Sequence, residues 1–188
     1  MTTIHIKNMV CDRCIKAVSN IFEQQGISPE SIELGQVRLK AELDKEQEKK
    51  IRALLEAEGF GWLEDQNKKL IEEIKCIIIE LVHYSNLDEM NKNLSGYLSE
   101  KLRKDYHYLS NLFSSVANTT IEQYFILQKI EKVKEWLVYD ELTLSEISFK
   151  LGYSSVAHIS AQFKKVTGLT PSHFKQIGQK KRKPLDKI

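Results

Sequence analysis

The sequence predicts an α+β domain at residues 1–65, in the order strand, helix, strand, strand, helix, strand, followed by an all-α domain at 67–178 and a basic tail at 179–188. The all-α part is expected to hold two helix-turn-helix units joined by a long helix. Three observations predict this. Short runs of alternating apolar and polar residues flank two helical patterns in the first third of the chain. Leu144, Ile147 and Leu151 recur at helical spacing, Gly152 stops that helix, and Ser154 or Ser155 caps another just after it, the signature of a helix-turn-helix. A weaker copy of that pattern stands at residues 94–113.

The elements of the first domain follow in order. Thr3 to Lys7 alternates and reads as a strand, and NMVCDRC follows as a loop. A helix starts at Asp12, with Ile15, Val18, Ile21 and Phe22 on one face and Gly26 as its stop. Residues 31–34 and 37–43 alternate on either side of Gly35-Gln36, a hairpin signal. Asp44 caps a second helix with Ile51, Leu54 and Leu55 inward, Gly59 closes it, and residues 60–63 make a last strand. This order is the ferredoxin-like arrangement.

Residues 64–67 lead without a Pro- or Gly-rich linker into a long amphipathic helix ending near His83, in which Cys76 sits on the apolar face. Leu94, Leu98 and Leu102 form the next helical face, Arg103-Lys104 make the turn, and Asp105 caps a helix with Leu109, Leu112 and Phe113 inward. His107, Tyr108, Ser110, Asn111 and Ser114 are its more exposed positions. Residues 120–137 read as the long helix, about 27 Å at 1.5 Å per residue, with Tyr124, Leu127, Ile130, Val133 and Leu137 buried. In the last unit Ile159, Phe163 and Val166 pack inward, which leaves Val156, Ala157, His158, Ala161 and Lys165 outward. Gly168 ends that helix, and Thr170-Pro171 opens one more, with Phe174 turned to the core. Trp62 and Trp136 read as packing residues.

The 188 residues suit one ordinary domain or two small ones, and the net charge of +2 is unevenly spread. Residues 1–66 carry 9 basic and 12 acidic side chains, net −3, and residues 67–188 carry 19 and 14, net +5. A basic second part suits a polyanion. No apolar run approaches a membrane span and the amino end has no signal-peptide pattern, so a cytoplasmic protein without a membrane partner is expected. In a reducing compartment Cys11 and Cys14 read as free thiols or metal ligands rather than a disulfide. Neither a Gly-rich phosphate loop nor a Ser, His, Asp nucleophile arrangement occurs, so hydrolysis and phosphoryl transfer have no support and no enzyme is expected.

Residues 1–65 resemble the heavy-metal-associated domains of copper chaperones and metal-transporting ATPases. Met9, Cys11 and Cys14 occupy that family's Met-x-Cys-x-x-Cys loop, with Asn8 where it usually has Gly and Val10 where it has a small hydroxyl residue. Asn tolerates the left-handed backbone the Gly supplies. The resemblance implies Cu(I) or another thiophilic ion at Cys11 and Cys14, with Met9 supporting the loop from the core side. Two thiolates at a helix start can converge on one soft ion, and the positive helix end is expected to lower their pKa. Structural zinc would need two further ligands, and none is placed nearby. His5 reads as a surface residue.

Residues 70–178 resemble the DNA-binding domain of the AraC/XylS family of bacterial transcription regulators. The family's second-half pattern is met at Gly152, Tyr153, Ser155, Phe163, Lys164, Gly168, Pro171, Phe174 and Lys175, with Ser148 and Ile159 as mild exceptions. Tyr124 also matches, and Lys129 stands where the family commonly has Arg. The resemblance implies base-edge contacts by His107, Ser110 and Asn111 from the first reading helix and by Val156, Ala157, His158 and Ala161 from the second. Lys101, Arg103, Lys104, Lys164 and Lys165 are the candidate phosphate contacts. Ala157 and Ala161 replace the family's frequent Arg or Gln, so base readout by the second helix is expected to be sparse. The tail Lys180-Lys181-Arg182-Lys183 is either a phosphate contact or a disordered basic end.

The expected function is a one-component regulator binding double-stranded promoter DNA, with RNA polymerase as a further candidate partner and a soft ion at Cys11 and Cys14 shifting the DNA-competent population. Two alternatives stand beside it. The small domain is only a dimerisation or docking module without metal, or the chain is a thiol redox protein or metallochaperone. Monomer and homodimer are both open.

Overall fold

Ile4 and Ile6 alternate with polar neighbours along the first strand, β1 (Thr2–Lys7), and both are buried. The computed structural model describes residues 2–85, 87–90 and 92–177, so the basic tail lies outside the described residues. Helix α1 (Asp12–Gln24) follows, then β2 (Ser31–Glu33), β3 (Gln36–Leu39), α2 (Lys45–Ala57) and β4 (Gly61–Leu63). The strands form one antiparallel sheet in the order β2-β3-β1-β4, with Ile4 opposite Val37 and Ile6 opposite Trp62. Val18, Phe22, Ile51 and Leu55 from the two helices close the core over Ile4 and Ile6. Asp44 accepts from the backbone N–H of Glu46 and Gln47, and Gln47 reaches back to the Asp44 N–H, a reciprocal cap that starts α2 where expected.

Two details of the hairpin differ from expectation. Gln36 already pairs with Glu33, so the turn is Leu34-Gly35, with Gly35 at φ +79°. Gly35 also lies close to Cys76, where an added Cβ would meet Sγ at 2.7 Å. The strand β3 ends at Leu39 rather than Leu43, because the register sets Leu39 opposite Thr2, the first residue of β1. His5 is corrected too. Its side chain is 15% exposed and Nδ1 lies 3.5 Å from a Glu73 carboxylate oxygen, since the N-terminal half of α3 (Gln66–His83) covers it. Burial, reinforced by Lys69, lowers the His5 pKa and so disfavours the charged imidazole in this contact.

The chain divides into two compact units between Cys76 and Ile77. Helices α4 (Leu94–Leu102), α5 (Tyr106–Ala117), α6 (Ile121–Tyr139), α7 (Leu144–Lys150), α8 (Val156–Thr167) and α9 (Pro171–Ile177) build the second. Helix α6 is its axis, packed against α5, α7, α8 and α9. Phe113 packs at a tilt against Tyr124 on one side of it, ring centroids 5.8 Å apart, and Phe163 meets Phe174 edge-on at 5.4 Å on the other. Because neighbours surround α6, its burial extends beyond the apolar face: Gln128, Lys129, Glu131 and Lys134 are buried as well. Leu127 and Val166, expected inside, are half-buried, as is Leu112. Leu127 and Val166 line a groove of about 300 Å³ with Gln123, Ile126, Gln162 and Lys165. Trp62 and Trp136 are half-buried, each under a cation, Arg52 at 4.5 Å and Lys132 at 4.9 Å.

Candidate nucleic-acid interface

The first helix-turn-helix pivots on Arg103, which caps α4 in the left-handed region at φ +51°. Asp105 restarts the helix by accepting from the Tyr108 N–H, and Tyr106 ties the start of α5 to Glu122 at the start of α6. Leu109 and Phe113 then fill the core. That orientation leaves His107, Tyr108 and Asn111 exposed and Ser110 half-exposed. Asn111 Nδ2 lies 3.1 Å from His107 Nε2 one turn away, so these two polar groups are held side by side. Lys104 Nζ sits 5.7 Å from the centre of the Tyr108 ring.

The second unit is capped more completely. Thr143 and Glu146 form a reciprocal cap that starts α7, and their hydrogen bonds hold the Glu146 carboxyl below its usual pKa. Gly152 takes φ +63° in the turn, and Ser155, not Ser154, caps α8 by accepting from the His158 N–H. Ser154 serves otherwise, with its hydroxyl 3.1 Å from His158 Nδ1. Ile159 and Phe163 are fully buried, and Val156, Ala157, His158, Ala161, Lys164 and Lys165 are all exposed. Lys101, Arg103 and Lys104 are exposed likewise. None of these five cations pairs with a carboxylate among the described residues.

A family model described as a helix-turn-helix domain matches residues 98–177. The chain is 27% identical over 131 residues, 68% of its length, to the Msm operon regulatory protein of Streptococcus mutans, and covers 45% of that relative. It is 30% identical to the solved C-terminal domain of the two-component response regulator yesN of Fusobacterium nucleatum, covering 59% of this chain and 99% of that one with a TM-score of 0.47. Residues 98–177 are an AraC-type helix-turn-helix domain. The C-terminal domain of AraT, a response regulator from Geobacillus stearothermophilus, shares the fold: 19% identity, TM-score 0.51, 63% of this chain and 94% of that one. The chain spans less than half the length of the curated relatives it matches.

Within the AraC-type domain, three residues that periodicity did not single out connect the turn to the reading face. Tyr153 donates its hydroxyl to Gln162 on α8, and its ring stands edge-on to the His158 imidazole at 5.2 Å. Lys129 on α6 lies beneath that ring. Only the family's Tyr at position 153 and Arg at position 129 marked two of them.

The cysteine loop lies in the first unit, ahead of the AraC-type domain. Asn8 adopts φ +72°, donates its side-chain amide to the Gly59 carbonyl at 2.9 Å, and donates its backbone N–H to Glu72 at 3.0 Å. Met9 is fully buried, and its carbonyl accepts from the buried Cys76 thiol. Cys11 is the N-cap of α1, and its Sγ lies 3.5 Å from Sγ of Cys14. The expected lowering of both thiol pKa values fails at Cys14: burial pushes it up, outweighing the backbone hydrogen bond at Val10. Two thiolates at about 2.3 Å from one ion reach across this separation. Among the described residues no group of three or more His, Cys, Asp or Glu converges on a metal position, so Cys11 and Cys14 are the donors this loop offers. No helix of the described residues is long and apolar enough to cross a membrane.

Proposed function

We infer that the chain is a transcription regulator that places α5 and α8 in successive major-groove segments of double-stranded promoter DNA. The observation that carries this reading is the pair of capped turns, each burying an aromatic behind its reading helix and exposing a polar or cationic face. The helix α6 between them is 19 residues long, about 28 Å at 1.5 Å per residue, close to the roughly 34 Å between groove segments on one face of a duplex. Regulation of an operon, named for the Streptococcus relative, accords with it.

The two reading helices are expected to divide the work. His107 and Asn111 supply hydrogen-bonding groups for base edges, while Val156, Ala157 and Ala161 offer only apolar contact and Lys164 and Lys165 supply charge. In a competition binding assay on selected and scrambled duplexes, His107→Ala with Asn111→Ala is expected to relax the preference, a loss of about 1–3 kcal/mol of discrimination. Lys165→Ala should weaken binding to both duplexes alike. Equal loss of preference in both variants contradicts the assignment.

For the first unit, the β2-β3-β1-β4 order with two covering helices supports the ferredoxin-like, heavy-metal-associated reading. Cys11 and Cys14 would hold Cu(I) or a similar thiophilic ion, which on binding displaces the thiol protons and fixes the loop. The proposed consequence is a shift in the DNA-competent population. Titration of Cu(I) into the full chain, read as duplex affinity, is expected to change wild type and leave Cys11→Ser unmoved. An unchanged affinity in both proteins removes the sensing role and leaves a docking or dimerisation module.

A further inference from the structure

Lys129 is a buried cation, 9% exposed, on the face of α6 that meets the α7–α8 turn. Its ammonium donates to the Leu151 carbonyl at 3.2 Å and lies 3.8 Å from the centre of the Tyr153 ring, with Phe125 at 5.1 Å on its own helix. Leu151 and Tyr153 flank Gly152, the left-handed residue of the turn. No carboxylate among the described residues pairs with this charge. A buried cation without a counter-ion costs stability, so its contacts must account for its presence in some other way.

We propose that Lys129 is a positioning residue for the second reading helix. It clamps the α7–α8 turn from below and, through Tyr153, sets the orientation of α8 and of His158 on its exposed face. Tyr153 touches α8 at two places, the Gln162 amide oxygen and the His158 ring. A ring held under a cation therefore fixes both the roll of the helix and the imidazole offered to a base edge. The inference rests on the DNA-binding reading and adds a residue that touches no DNA.

Burial holds the Lys129 ammonium down to about 8, well below an ordinary lysine. The other groups facing it are the Leu151 carbonyl and the Tyr153 phenol, whose own pKa burial pushes up, so the phenol stays neutral. Because the folded-state pKa lies below the unfolded one, the unfolded chain binds more protons between about 8 and the ordinary lysine range, and the folded state gains stability as pH rises there. The clamp changes in the opposite sense: the neutral amine can still donate to Leu151 but loses its attraction to the Tyr153 ring.

The test uses the full chain and a duplex selected by wild type from a random-sequence library. Lys129→Met is expected to weaken binding by about tenfold while leaving the thermal midpoint unchanged or higher. Lys129→Arg, always charged, should bind within about threefold of wild type at pH 7. Between pH 7 and 9 wild type should lose affinity and the Arg variant should not. Equal affinity of wild type and Lys129→Met overturns the proposal, as does an affinity loss that comes with a lowered midpoint, or parallel pH profiles for wild type and Lys129→Arg. If wild type selects no duplex and shows no salt-dependent binding, the DNA-binding reading falls, and the positioning role with it.

Discussion

Phe163→Ala is expected to lower the unfolding free energy of the second unit by about 3–5 kcal/mol, the range for truncating a buried aromatic. Phe163 is fully buried, and its ring meets Phe174 at 5.4 Å with the planes 77° apart, an edge-to-face pair worth about 0.5–1.5 kcal/mol beyond area burial. It is also where α8 is anchored to α9, so its loss opens the core on the inner side of the reading helix. Against a total stability of about 5–15 kcal/mol for a typical domain, such a loss takes a large share. Urea unfolding followed at Trp136 in a Trp62→Phe background reads it. Phe163→Leu, which retains most of the volume, should lose less than half as much. A loss below about 1 kcal/mol for the alanine variant would mean that α8 is held chiefly by its turn.

The positions that specify this packing were legible because their signals are local. Asp44 and Asp105 cap helices where expected, and Gly152 and Gly168 take the left-handed backbone that ends a helix. Asn8 does the same at the mouth of the cysteine loop, φ +72°, in a place where a Gly is usual in the resembling family. Partners distant in sequence were not legible. His5 alternates like a surface residue, and Glu73, the carboxylate it lies against, belongs to a helix that begins 61 residues later. Leu127 and Val166 obey helical spacing yet stop at a groove, because spacing gives the direction of a side chain and not the reach of the neighbouring helix. The five candidate phosphate-contacting cations and the exposed faces of α5 and α8 follow from pattern, whereas the clamp beneath Tyr153 does not: periodicity sends every lysine to solvent.

The same blindness hid the buried pair in α6, and that pair carries the second large effect. Glu131 and Lys134 lie one turn apart and are ion-paired, with side chains only 5% and 8% exposed. Lys134→Met is expected to cost about 3–5 kcal/mol, since it removes the ammonium paired with a buried carboxylate; most of that loss is the burial cost of the Glu131 charge and not the worth of the pair. Replacing both residues with apolar ones of similar size removes the two buried charges together. Glu131→Leu combined with Lys134→Met should therefore recover stability to near wild type, or exceed it by about 1–4 kcal/mol. A double-mutant cycle from urea unfolding checks this, with the double variant more stable than Lys134→Met alone. Additive losses from the two substitutions would instead show that each side chain packs independently against its neighbours, and that the ion pair is incidental to the folding of α6.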